Sequence, residues 1–134
     1  MPVLFILYAG FLLVLSAFKS AELFLPTIHA MEVFLGGDKW MHLLLAVPLS
    51  LMANLAAESV MKLSSFRRIL LVMVVLVLAL LMDELHQQFI ASRRFDWQDS
   101  VWGSTGLLLG CAIYVLVKNV QKYVTGIRLA TKHR

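Results

Sequence analysis

ILLVMVVLVLALLM, residues 69–82, runs without a break into Asp83-Glu84-Leu85-His86-Gln87-Gln88. The 14 apolar residues are too few to cross a bilayer, which takes about 20 residues at about 1.5 Å each. The acidic stretch must therefore complete the helix, inside the membrane or at its boundary. Ionisable groups at that depth are costly to desolvate and persist where they face a protein interior or a wet cavity. The segment predicts a membrane fold and, at one end of a spanning helix, a polar site.

The rest of the composition agrees. At 60% hydrophobic residues and a mean hydropathy of +0.83, the chain is too apolar for an ordinary soluble domain, and 134 residues are too few for two domains. A single membrane domain over residues 1–134 is the expectation. The lone cysteine, Cys111, lies among Leu109, Gly110, Ala112 and Ile113. It can form no internal disulfide and reads as a small packing residue.

Outward from residues 69–82, three further apolar segments emerge. The four run from Val3 to Phe18, Trp40 to Ala57, Phe66 to about Ile90, and Val101 to Val117. The predicted fold is all-α: a polytopic membrane protein with four transmembrane helices. The first segment lacks the Lys/Arg-rich start of a secretory signal. Although Ser16 and Ala17 offer a weak cleavage signal, it is read as a true helix with Lys19 snorkelling at its end. From Ser20 to Gly37, apolar residues alternate irregularly with Glu22, His29 and Glu32, the pattern of an interfacial segment. Pro26 bars one continuous helix there, Gly36 and Gly37 supply a turn, and Asp38 is placed to cap the second span. Pro48 is expected to kink that span without ending it. The short links Glu58 to Ser65 and Ser92 to Ser100 make neighbouring spans antiparallel, with Asp99 or Ser100 capping the fourth.

Loop charge gives the orientation. Lys62, Arg67, Arg68, Lys118, Lys122, Arg128, Lys132 and Arg134 share one face, whereas the other holds Lys19, Lys39, Arg93 and Arg94 among seven carboxylates. By the positive-inside rule both termini are cytoplasmic and the polar motifs face outward. The formal charge of +4 is thus a topology signal. The basic tail suits anionic headgroups, but it has neither the aromatic interleaving nor a motif for nucleic acid, and no nucleic-acid partner is expected.

An even number of crossings brings the start of the second span, the end of the third, the third loop and the start of the fourth to one membrane face. Asp38, Lys39 and His42 enter there; Glu84 and Gln87 leave; Arg93, Asp96 and Asp99 lie between. Spacings of three and four place Asp38 with His42, and Glu84 with Gln87, on shared helix faces. Asp83 and His86 fall on a different face and read as interfacial, as do Arg94, Trp97 and Trp102. Gly106 and Gly110 form a small-xxx-small pair suited to close helix contact in lipid.

Asp38-Lys39-x-x-His42, Glu84-x-x-Gln87, Arg93-x-x-Asp96-x-x-Asp99 and the glycines Gly106 and Gly110, in that order, resemble the VanZ-like family of small bacterial membrane proteins. The resemblance covers roughly residues 37–110. It implies a bacterial cytoplasmic-membrane protein of the cell envelope, in a family first associated with low-level resistance to the lipoglycopeptide teicoplanin. It does not fix a biochemical activity. One position departs from the pattern: where members commonly carry Asn, this chain has Gly103, the mark of either a divergent member or a site in which Ser104 or Thr105 supplies the missing hydrogen bonds.

Lys39, His42 and Arg93 suit an anionic headgroup, as point charge, proton carrier and bidentate donor. Glu84, Asp96 and Asp99 would orient them. The expected function is recognition of an anionic membrane lipid or lipid-linked envelope precursor. The alternative is an intramembrane enzyme acting on a lipid phosphate, with Glu84 or His42 in proton transfer; the bland reading of Glu84 is a structural ion pair with Arg93 or Lys39. With no His-Glu-x-x-His motif, nucleophile elbow or phosphate loop, neither a metal nor a cofactor is expected. His42, Glu84 and Asp99 are the group that would hold a hard or borderline cation if one were bound.

Overall fold

Pro2 stands in the first turn of a 19-residue helix, α1 (Pro2–Ser20), where its missing N–H removes no helical hydrogen bond. In this computed structural model the described residues are 1–87, 89 and 96–132, with side chains described through residue 126. After α1 the chain turns back through Glu22 and Phe24, both in the left-handed region at φ 57° and 56°. The rings of Phe18 and Phe24, 5.5 Å apart, close this turn. A short helix follows, α2 (Leu25–Phe34), with Pro26 in its first turn. Gly36 and Gly37, at φ 92° and 115°, then make the tight link that side chains would oppose.

The remaining helices are α3 (Asp38–Val60), α4 (Ser65–Gln87) and α5 (Trp97–Lys132). Among the described residues there is no strand. Four helices, all but α2, are long and apolar enough to cross a membrane. The expected all-α, four-span architecture with an interfacial segment between the first two spans is therefore what forms.

Two local expectations need correction, and one element runs further than its apolar segment. Asp38 is the first residue of α3 and Gly37 its N-cap, with no side-chain capping bond; the Asp38 carboxylate is turned to other partners. The cap of α5 is Asp96, whose Oδ1 accepts the Gln98 backbone N–H at 2.8 Å, rather than Asp99 or Ser100. The basic tail is helical: α5 continues to Lys132, 36 residues in all. At 1.5 Å per residue it is about 54 Å long, against about 30 Å of hydrocarbon. No proline interrupts it, and the first glycine past the apolar run is Gly126.

Helix α3 is the hub, packing on each of the other four. Its inward positions are mostly small: Ala46, Ser50, Ala53, Ala56 and Ala57. Lipid supplies no hydrophobic drive between helices, so close backbone approach has to supply the attraction. Gly106 abuts the Leu43 carbonyl and Ala46, and Gly110 abuts the Val47 carbonyl and Ser50. The expected role of these glycines is thus what the packing displays. Helix α3 continues through Pro48, and the Tyr8 hydroxyl donates to the nearby Leu45 carbonyl at 3.0 Å. Leu7 and Leu13 on α1, Leu78 on α4 and Leu116 on α5 are exposed, the pattern of a lipid-facing surface.

The two ends of the bundle differ. At one, Lys118 pairs with Glu58 at 2.6 Å, and buried Arg68 donates to the Tyr114 hydroxyl at 2.9 Å. The sequence marks Arg68 only as a topology charge, whereas it ties α4 to α5. The other end gathers the acidic motifs.

Candidate functional site

Lys19, at the end of α1, collects carboxylates from two other helices. Its Nζ lies 2.6 Å from Glu32 of α2 and 2.8 Å from Asp38 of α3. Snorkelling is therefore the wrong description, since the ammonium is held inside the cluster. Asp38 also faces His42 one turn later, with Nε2 to Oδ1 3.6 Å apart. Across the α3–α5 contact, the same Nε2 lies 3.6 Å from Asp99 Oδ2. His42 thus sits between two carboxylates delivered by different helices, and Asp99 is buried. Lys39 Nζ pairs more loosely with Asp96 at 3.5 Å.

On α4, Glu84 and Gln87 are 1% and 2% exposed, so the helix turns its polar end inward. Asp83 belongs with them. It accepts from Ser16 of α1 at 3.0 and 3.1 Å and from Gln87 Nε2 at 2.9 Å. Its assignment to a separate interfacial face is overturned: residues 83 and 87 are one turn apart, and α1 lies close enough to give Asp83 a second partner. His86 is exposed, in keeping with an interfacial position.

Of the residues singled out in the sequence, Asp38, Lys39, His42, Glu84, Gln87, Asp96 and Asp99 lie at this end. Arg93, with Arg94 and Gln88, falls outside the described residues. Among the described residues, the donor atoms that lie mutually within 4.8 Å belong to Asp38, His42 and Asp99. Asp38 takes the place in that group that the sequence offers to Glu84. Sequence reasoning missed Lys19, Glu32, Ser16 and Asp83 as members of the cluster, because all four depend on where α1 and α2 dock.

Beneath the cluster lies a cavity of about 340 Å³ between α1, α3 and α4. Leu12, Leu45, Leu49, Leu76 and Ala79 are among its apolar walls, and Ser16, Lys19, His42, Asp83 and Gln87 are its polar residues. A second hollow of about 390 Å³ continues it toward the opposite end, sharing Phe5, Val75 and Leu76. Together they form an apolar trough between α1 and α4 with a polar head.

Residues 5–118 match the VanZ/LLP1 family. The chain belongs to that family. No curated protein and no solved structure matches it. The VanZ-like motifs quoted above divide into two jobs in this fold: their described polar residues meet at one end of the bundle, and the glycines fasten α5 to α3. At the departing position, a Cβ on Gly103 would come within 2.9 Å of a Leu80 methyl. Leu80 occupies the space that a larger side chain would need. Thr105 does not stand in for the missing amide, because its hydroxyl bonds back to the Val101 carbonyl at 2.8 Å on an exposed face.

Proposed function

We propose that this VanZ-like protein is a single-domain cell-envelope protein of the bacterial cytoplasmic membrane, with both termini cytoplasmic. It holds one anionic lipid or lipid-linked precursor, the chain in the trough between α1 and α4 and the headgroup at the outward polar cluster. The observation that carries this reading is the continuity of the apolar cavity with Ser16, Lys19, His42, Asp83 and Gln87. A mostly apolar pocket with a few convergent polar groups is the usual form of a small-molecule site. Here its polarity also runs in the direction of a lipid.

Lys19, Lys39, His42 and Arg93 supply positive charge or donors to a headgroup. Asp83 and Gln87 supply acceptors for hydroxyl or ammonium groups, which suits a precursor richer in donors than a bare phosphate. On this reading, the family's association with teicoplanin resistance would arise through the precursor held at the outer leaflet. The rival, an intramembrane enzyme acting on a lipid phosphate, draws on His42 lying between Asp38 and Asp99, an arrangement suited to proton transfer.

Lipid extraction and mass spectrometry of the purified protein test the proposal. A single lipid class should copurify, and Ala79→Trp, which fills the trough from α4, should reduce its amount about tenfold while preserving helicity. Equal recovery from the two proteins would overturn it. Turnover of the copurified lipid in detergent would favour the enzyme.

A further inference from the structure

His42 Nε2 is buried and has no hydrogen-bond partner among the described residues, and the same holds for Asp99 Oδ1. Asp99 as a whole is 7% exposed. Orphaned polar atoms in a buried site call for a partner. The distances of 3.6 Å from His42 Nε2 to Asp38 Oδ1 and to Asp99 Oδ2 exceed hydrogen-bond length. They lie close to the ~3.4 Å that separates two ligand atoms bonded tetrahedrally to one cation at ~2.1 Å. All three donors already lie within 4.8 Å of one another.

We propose that Asp38, His42 and Asp99 form a divalent-cation site whose remaining coordination position accepts a phosphate oxygen of the headgroup. The second half of this statement rests on the lipid reading above; the first half does not. Two carboxylates and a neutral imidazole neutralise a doubly charged ion, which suits a buried site where net charge is expensive. One nitrogen and two oxygen donors favour zinc or manganese over magnesium and calcium, which prefer oxygen alone. Three protein ligands leave a tetrahedral ion one position open. His42 lines the cavity, so an ion bound to it lies where the headgroup would sit.

The surroundings support ligation. Lys19 donates to Asp38 Oδ1 at 2.8 Å, fixing that carboxylate as an outer-shell partner does. Its own charge is offset by Glu32 at 2.6 Å. Asp38 and His42 project from one face of α3, and Asp99 is carried on α5 by the helix whose Gly106 and Gly110 touch the α3 backbone. The geometry is thus set by the most closely packed pair of helices.

Zinc chloride and cobalt chloride added to the purified full-length protein in detergent, followed by desalting and metal analysis, test the site. About one zinc per chain should remain. His42→Ala and Asp99→Asn should each weaken zinc binding by about 100-fold, whereas Leu116→Ala, on the exposed face of α5 and away from the cavity, should leave it unchanged. Cobalt in the unmodified protein should give the intense visible bands of a low-coordinate ion, a readout that needs no variant to fold. Zinc retention equal to that of Asp99→Asn, or the weak spectrum of hydrated cobalt, would overturn the site. Chelation should release the copurified lipid. If lipid stays after the zinc is gone, the phosphate bridge is overturned. If zinc binds but no lipid copurifies before or after chelation, the lipid reading fails and the cation site stands.

Discussion

Gly106 of α5 meets the backbone carbonyl of Leu43 on α3 so closely that no Cβ fits between them. The contact is backbone against backbone, with Ala46 beside it, and it repeats one turn later at Gly110 and Val47. Such approach allows Cα–H···O contacts along the pair of helices. It also sets the separation across which His42 faces Asp99.

Gly106→Leu should therefore lower stability by about 1–3 kcal/mol or more, the cost of forcing atoms into a filled interface. Thermal unfolding of the purified protein in detergent measures it. An unchanged melting temperature would mean that α5 does not pack on α3 through this face.

Gly103→Asn introduces the residue commonly found in the family and should be mildly destabilising here, because the Leu80 methyls must move aside to admit it. Combined with Leu80→Ala, the two losses should be less than additive by about 0.5–3 kcal/mol, as expected for side chains in contact. Strict additivity in the double-mutant cycle would refute the steric account.

Glu84→Gln and His42→Ala should each abolish lipid copurification, or the cellular phenotype, while leaving expression and helicity intact. If Glu84 is instead half of a structural ion pair, Glu84→Gln should cost about 3–5 kcal/mol of stability, since a buried charge is left uncompensated. A well-folded double variant with normal lipid content would remove both residues from the site.

The proposed cytoplasmic termini rest on the distribution of basic residues. With Cys111 replaced by serine, a cysteine introduced at exposed Gln98 should react with an impermeant reagent on intact cells. One introduced at exposed Lys122 should react only after permeabilisation. The opposite pattern would invert the topology.

Much of the fold was legible because bilayer thickness constrains the spans so tightly: apolar run length and the charge of the links give their number and order. The convergence of candidate residues on α3, α4 and α5 was legible for a related reason, since an even number of crossings sends Asp38, His42, Glu84 and Asp99 to one end. What periodicity could not supply was lateral neighbourhood. Lys19 and Asp83 join the cluster because α1 docks beside α3 and α4, and nothing in an almost uniformly apolar helix marks which face turns toward a partner. Arg68 illustrates the same gap at the other end, where a loop-proximal charge of correct sign is also a buried donor to Tyr114. Helix α5 outruns its apolar segment because hydropathy reports where lipid ends, whereas backbone propensity decides where a helix ends.

Helix α1 buries no residue of its own and would pass for a membrane tether. Yet it delivers the ammonium that stands between Glu32 and Asp38. Trimming or displacing that helix would leave the rest of the bundle spanning the membrane while removing the ammonium that the two carboxylates share. The first span is in effect a detachable counterion: a shortened chain could insert, fold and still present the wrong electrostatic field at the polar end of its bundle.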